Sequence, residues 1–140
     1  MTPDKLVLDA SVAAKLYFIE AGSEATEAAM AKASFVIAPD LLHLEIANVA
    51  AKHVRRRTAT PAAAASAVAT ASTLLDEAVP ARDLASRAFT MAAEHGFSAY
   101  DGAYLALAET RGLKLLTADV HLARRAGEVG LGDLVWLLGD

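Results

Sequence analysis

The stretch Lys5-Leu6-Val7-Leu8-Asp9-Ala10-Ser11-Val12-Ala13 decides how the chain is read. An unbroken apolar run behind a lysine makes a short strand buried on both faces, the kind a parallel sheet uses. Asp9 closes the strand, and Ser11 stands where it can cap a helix running on through Phe18. The same grammar returns downstream. Phe35-Val36-Ile37-Ala38 is a second apolar strand, stopped by Pro39-Asp40, which caps a long helix from Leu41 to about Arg56. Leu113-Lys114-Leu115-Leu116-Thr117 is a third, followed by Asp119 and a short helix. Ala78-Val79 and Leu134-Val135-Trp136-Leu137 read as brief strands. Further helices are expected from Ser23 to about Ala33, from Pro61 (capped by Thr60) to Asp76, from Pro80 to Gly96 and from Ala99 to Arg111. Strands separated by helices imply an α/β fold whose mostly parallel sheet is covered on both faces.

Composition narrows the class. A chain of 140 residues suits one domain, 1–140, and is long enough to bury a core. The apolar share of 55% exceeds the usual ~45–50%, but alanine, a helix former more than a core filler, inflates it. A net charge of −4 gives no general surface for polyanions. The absence of cysteine excludes disulfides, zinc–thiolate sites and a thiol nucleophile. Met1-Thr2-Pro3-Asp4-Lys5 leads straight into a strand, so no signal peptide is expected and the cytoplasm is the expected compartment. Thr58 to Leu75 carries no charge, but its Ala, Ser and Thr content marks a soluble helix rather than a membrane span.

The chemistry lies in four separated acids: Asp9, Glu45, Asp101 and Asp119. In an open α/β sheet, ligands collect beyond the carboxyl ends of the strands, so Asp9 and Asp119 should face one crevice. Clustered carboxylates repel, and either share protons or hold cations. Without thiols, hard Mg²⁺ or Mn²⁺ is the natural guest. Each acid also has a structural reading. Asp9 can simply end its strand, Asp101 follows Ser98 at capping-box spacing, and Asp119 can cap the next helix. Glu45 lies beside the apolar stripe Leu42, Ile46, Val49, with Asn48 and Lys52 near it at helical spacing. Together they are more specific than any one alone.

Val7-Leu8-Asp9-Ala10-Ser11-Val12-Ala13, Leu44-Glu45-Ile46-Ala47-Asn48, Ser98-Ala99-Tyr100-Asp101-Gly102-Ala103-Tyr104-Leu105-Ala106-Leu107-Ala108 and Leu116-Thr117-Ala118-Asp119 carry a resemblance over essentially the whole chain. The chain resembles the PIN-domain ribonucleases, and among them the VapC-type toxins of toxin–antitoxin pairs. That resemblance implies a three-layer α/β/α domain with a parallel sheet of about five strands. It implies an acidic pocket holding Mg²⁺ or Mn²⁺, with Asp9, Glu45, Asp101 and Asp119 as its acids. Asp9 and Asp101 would contact the metal, and Glu45 and Asp119 would act through water. Ser11, Asn48 and Thr117 match polar supporting positions. Also implied are RNA as substrate, 5′-phosphate and 3′-hydroxyl products, a VapB-type antitoxin as partner and a homodimer, with no specific DNA binding by this chain. Gly102 stands where many relatives have alanine, which should loosen the first helical turn by ~1 kcal/mol without touching the chemistry.

Other features point less far. His43, His53, His95 and His121 are scattered without dyad spacing and do not suggest a metal-free acid–base nuclease. Arg55-Arg56-Arg57 suits a solvated helix end. The stripe Ala64, Val68, Ala71, Leu75 reads as core or helix contact. A receiver-type signalling domain would need paired acids after the first strand, where Asp9 stands alone. A haloacid-dehalogenase-type phosphatase would place Asp where Ser11 stands. A non-catalytic module on the same PIN fold is a further alternative, disfavoured by the presence of every acid.

Overall fold

A computed structural model describes residues 3–139, so Met1 and Thr2 of the N-terminal reading lie outside the described residues. Five strands, β1 (Lys5–Leu8), β2 (Phe35–Pro39), β3 (Glu77–Val79), β4 (Lys114–Thr117) and β5 (Val135–Leu137), form one sheet in the order β3-β2-β1-β4-β5. Every neighbouring pair is parallel. The apolar run read first is the centre of the molecule. Val7 of β1 pairs with Ile37 on one side and Leu115 on the other, and Leu6, Val7 and Leu8 are fully buried.

Seven helices complete the three-layer α/β/α arrangement. They are α1 (Ala10–Ala13), continued by a 3-10 turn to Leu16, α2 (Ser23–Lys32), α3 (Leu42–Arg55), α4 (Pro61–Ala71), α5 (Ala81–His95), α6 (Ala99–Arg111) and α7 (Val120–Glu128). The chain winds from β1 toward β3, then crosses back to place β4 on the other side of β1. Strand order therefore reverses between β1 and β4. At such a switch point the loops leaving adjacent strands diverge and open a crevice at their carboxyl ends. A receiver domain has the order 2-1-3-4-5 instead, which places its crevice differently.

Some boundaries differ from the sequence reading, each for a local reason. Ser11 does not cap the first helix. That helix starts at Ala10 after Asp9, without a side-chain cap; α-helix gives way to a 3-10 turn after Ala13, and the turn ends at Leu16 rather than Phe18. Asp40 does not cap α3, whose preceding residue is Leu41. Pairing of Pro39 with Val79 brings Asp40 beside the next strand's exit, where its carboxylate accepts the Ala81 N–H of α5 at 2.9 Å. The alanine helix α4 ends at Ala71 instead of Asp76. Ser72 and Thr73 turn their hydroxyls back onto the carbonyls of Ala69 and Thr70, and Asp76 accepts the Val36 N–H of β2 at 2.7 Å. Among the described residues no helix is long and apolar enough to cross a membrane.

Helix α6 is buried without interruption from Gly102 to Ala108. It packs on β1, β2 and β4 and lies along α5. Such a helix can have no polar face and must be thin where neighbours press closest. Gly102 is that point: an added Cβ would sit 2.7 Å from the Ala88 carbonyl oxygen and 3.1 Å from its Cα. The glycine therefore lets α5 approach α6, and its low helix propensity is outweighed by the contact. Gly102→Ala is expected to destabilise the protein by about 1–3 kcal/mol, as overpacking does, in urea unfolding. A gain in stability would restore the propensity argument.

Candidate active site

The crevice at the β1/β4 switch point is organised around one carboxylate. Asp9 follows β1 and is 9% exposed. Its Oδ2 accepts the Ser11 hydroxyl at 2.6 Å and the Thr117 hydroxyl, from the end of β4, also at 2.6 Å. Each hydroxyl is itself held by a backbone amide. Ala118 N–H donates to Ser11 Oγ and Asp119 N–H donates to Thr117 Oγ1, both at 3.1 Å. A hydroxyl has one proton, so both are committed to Asp9. One oxygen of Asp9 is thus locked, and Oδ1 makes no other side-chain hydrogen bond among the described residues.

The other acids arrive from three helices. Glu45, on α3, accepts the Tyr104 hydroxyl of α6 at 2.8 Å. Asp101 sits in the first turn of α6, its N–H bonded to the capping hydroxyl of Ser98 at 3.1 Å. Asp119 caps α7, accepting Leu122 N–H on Oδ1 at 3.0 Å. Structural and site positions therefore coincide: the caps aim the helices that carry the acids. Asp9, Glu45, Asp101 and Asp119 line one open cleft of about 240 Å³ together with Ser11 and Asn48. Among the described residues no lysine, arginine or histidine lines it. Asn48, expected to support a carboxylate, reaches the cleft but makes no side-chain hydrogen bond to any acid among the described residues. The histidines lie elsewhere. His53, for one, stacks on Phe18 with ring centroids 4.3 Å apart and contacts Glu20 and Thr58.

The PIN domain family model matches residues 6–128. Ribonuclease VapC3 of Pyrobaculum aerophilum is 39% identical over 130 residues, an alignment that covers 86% of this chain and 94% of that protein. The chain belongs to the PIN-domain family, in its VapC-type branch. The crystal structure of PAE2754 from the same organism shares the fold, with a TM-score of 0.64 at 24% identity, covering 86% of this chain and 85% of that one.

Within this PIN domain the cleft is electrostatically unbalanced. Burial, opposed by the Ser11 and Thr117 hydrogen bonds and reinforced by Asp119, holds the Asp9 carboxyl above its ordinary range. Burial raises Asp101 as well, helped by Asp9 and Asp119. Glu45 is pushed up to about 7 by burial, against the Tyr104 hydrogen bond and with repulsion from Asp9 and Asp101. The lining offers only oxygen donors, the set that hard divalent cations take. Among the described residues no three acids or histidines converge as a ready ligand group. The oxygen-donor lining fits Mg²⁺, which takes one or two carboxylates and retains much of its water.

Tyr104 is the site residue that sequence reading passed over. It is 1% exposed, and its buried hydroxyl needs a partner. The available signal was its place three residues after Asp101, on one helical face with it. Only the fold shows that the partner is Glu45, 59 positions away.

A carboxyl whose pKa is raised by folding makes the folded state bind protons more tightly than the unfolded chain. The associated stability is full below the unfolded pKa and is lost as pH rises through the folded one. For Glu45 that window runs from 4.5 to about 7. In EDTA the melting temperature should therefore fall across this window, and Glu45→Gln should flatten the fall. A Gln variant with the wild-type slope would assign the pH dependence elsewhere.

Proposed function

We propose that this PIN domain is a divalent-metal-dependent endoribonuclease. It acts as a single-domain toxin of a VapBC-like type II toxin–antitoxin pair in the cytoplasm. The observation that carries the reading is that four acids from four parts of the chain line one cleft, with no cationic side chain among its described lining residues. The likeness to Ribonuclease VapC3 supports RNA as the substrate.

Asp9 and Asp101 would hold Mg²⁺ or Mn²⁺. When bound, the ion supplies an activated water and neutralises the charge of the phosphate oxygens. Ser11 and Thr117 keep the Asp9 carboxylate from rotating, which preserves its aim. Glu45, steadied by Tyr104, and Asp119 would contact the ion through water or position the nucleophile. Water would supply the nucleophile, so the RNA 2′-hydroxyl would not be consumed, and the resemblance to PIN-domain ribonucleases implies a 5′-phosphate and a 3′-hydroxyl at the cut. No histidine lines the cleft, which disfavours a histidine acid–base route through a cyclic phosphate.

Asp9→Asn and Asp101→Asn are each expected to lower RNA cleavage by roughly 10²-fold or more, the scale of several kcal/mol of lost electrostatic stabilisation. Their melting temperatures should stay near that of the wild type. Cleavage should stop in EDTA, continue on a strand with a deoxy residue at the scissile position, and leave 5′-phosphate ends. Cyclic phosphate products, or full activity in excess chelator, would sink the metal-dependent reading.

The partner reading is a VapB-type antitoxin whose tail lays apolar residues along α3 near Leu42 to Lys52 and beside Pro61 to Leu75. A basic side chain of that tail would satisfy the acids in competition with the cation. A two-fold homodimer would set two clefts beside a shared groove. Co-expression with the neighbouring small protein should yield a complex that does not cut RNA until the partner is removed. Failure to bind or inhibit would end the toxin reading and leave the nuclease reading intact.

A further inference from the structure

A second cleft adjoins the acidic one. It is lined by Leu41, Leu44, Glu45, Asn48 and Tyr100 and encloses about 370 Å³, within the ~300–1,000 Å³ of small-molecule sites. Glu45 and Asn48 line both clefts, so the two adjoin across these side chains. Leu44 is 77% exposed and Tyr100 68% exposed, although both are large and apolar in body. The Asn48 amide, with donors and an acceptor, makes no side-chain hydrogen bond among the described residues.

We propose that this cleft is a nucleobase subsite, in which one unpaired base of the RNA stacks on Tyr100 against Leu44 while the Asn48 amide hydrogen-bonds its edge. The proposal rests on the ribonuclease reading of the acidic cleft and names the substrate feature that the chain grips.

The physical case begins with charge. Neither cleft is lined by lysine or arginine. Most nucleic-acid binders draw affinity from cation–phosphate contacts, and this site lacks them at its centre. Within these two clefts a phosphate at the acids would be held through the cation, which leaves the bases as what the cleft side chains themselves can grip. Aromatic stacking supplies such a grip without requiring charge. Covalent continuity then identifies the occupant. A phosphate held beside Glu45 has a nucleoside attached on each side, and Glu45 is also the wall of the apolar cleft. A base in a duplex is stacked and paired, so only an unpaired one can turn out onto Tyr100.

The test uses a single-stranded RNA oligonucleotide that the wild type cuts at one mapped bond with Mn²⁺. Versions of it lack the base on one or the other side of that bond. Wild type should lose roughly tenfold to a hundredfold in kcat/KM on one abasic version, the range for one lost base–aromatic stack. Tyr100→Ala should show the same loss on the intact strand and no further loss on that abasic version. Tyr100→Phe, which keeps the ring, should recover most of the cleavage lost in Tyr100→Ala. All three proteins should melt alike, since Tyr100 is 68% exposed. The proposal is overturned if Tyr100→Ala cuts intact RNA at the wild-type rate, or if its loss adds to that of the abasic strand. Normal cleavage by Tyr100→Ala with weakened inhibition by the co-expressed partner would assign the cleft to that protein instead. If wild type cuts no RNA with either Mg²⁺ or Mn²⁺, the ribonuclease reading itself fails and this inference with it.

Discussion

Two hydroxyl protons delivered to one oxygen of Asp9 set the frame for everything else at the site. Ser11 and Thr117 come from the exits of β1 and β4, the two strands between which the sheet reverses its order. The bonds tie those exits together and decide where the carboxylate points. The backbone amides of Ala118 and Asp119 complete the chain of donors, so that the loop leading to α7 is positioned by the same contact that restrains Asp9. A hydroxyl accepting from an amide and donating to a carboxylate leaves no freedom in its own proton. An acid placed on a floppy loop would lose that direction, and a cluster of floppy acids would spread apart under its own repulsion.

The fold opposes that repulsion with packing. Helix α6, buried from Gly102 through Ala108, carries Asp101 at its first turn and Tyr104 one turn on. The helix can lie against the sheet because Gly102, Ala103, Ala106 and Ala108 leave room among its larger side chains, and because Gly102 lets α5 close over it. Its tyrosine in turn reaches across to Glu45 of α3. One tightly packed element thus fixes two of the four acids, while the strand exits fix a third. The raised carboxyl pKa values register what this arrangement withstands: like charges held in a partly dry cleft by a core that does not yield.

Much of this was written locally. Alternating apolar runs and helix formers determined the parallel α/β class, the approximate span of nearly every element and the order of the acids, because strand burial and helix amphipathicity are short-range patterns. Caps such as Ser98, Thr60 and Asp119 were legible for the same reason: a cap bonds to amides two or three residues away. Where a side chain chose a distant partner, local reading misplaced it. Asp40 bonds to Ala81 across the sheet, Asp76 bonds to Val36, and Ser11 turns to Asp9 and Ala118 rather than to its own helix.

Only the tertiary structure decided the rest. The side of β1 on which β4 lies, and so the place of the crevice, depends on a crossover through α5 and α6 that no single segment encodes. The close approach at Gly102 needed α5 in position before a missing Cβ became meaningful. Tyr104 and Glu45 are 59 residues apart in the chain, and their bond exists because two helices converge over one end of the sheet. Sequence by itself showed which acids stand at or near element ends, since those are residue identities, but not the part taken by Tyr104. Their mutual distances, their shared burial and the hydrogen bonds that aim them arise only when separate elements pack, because those quantities belong to pairs of residues and not to any one of them.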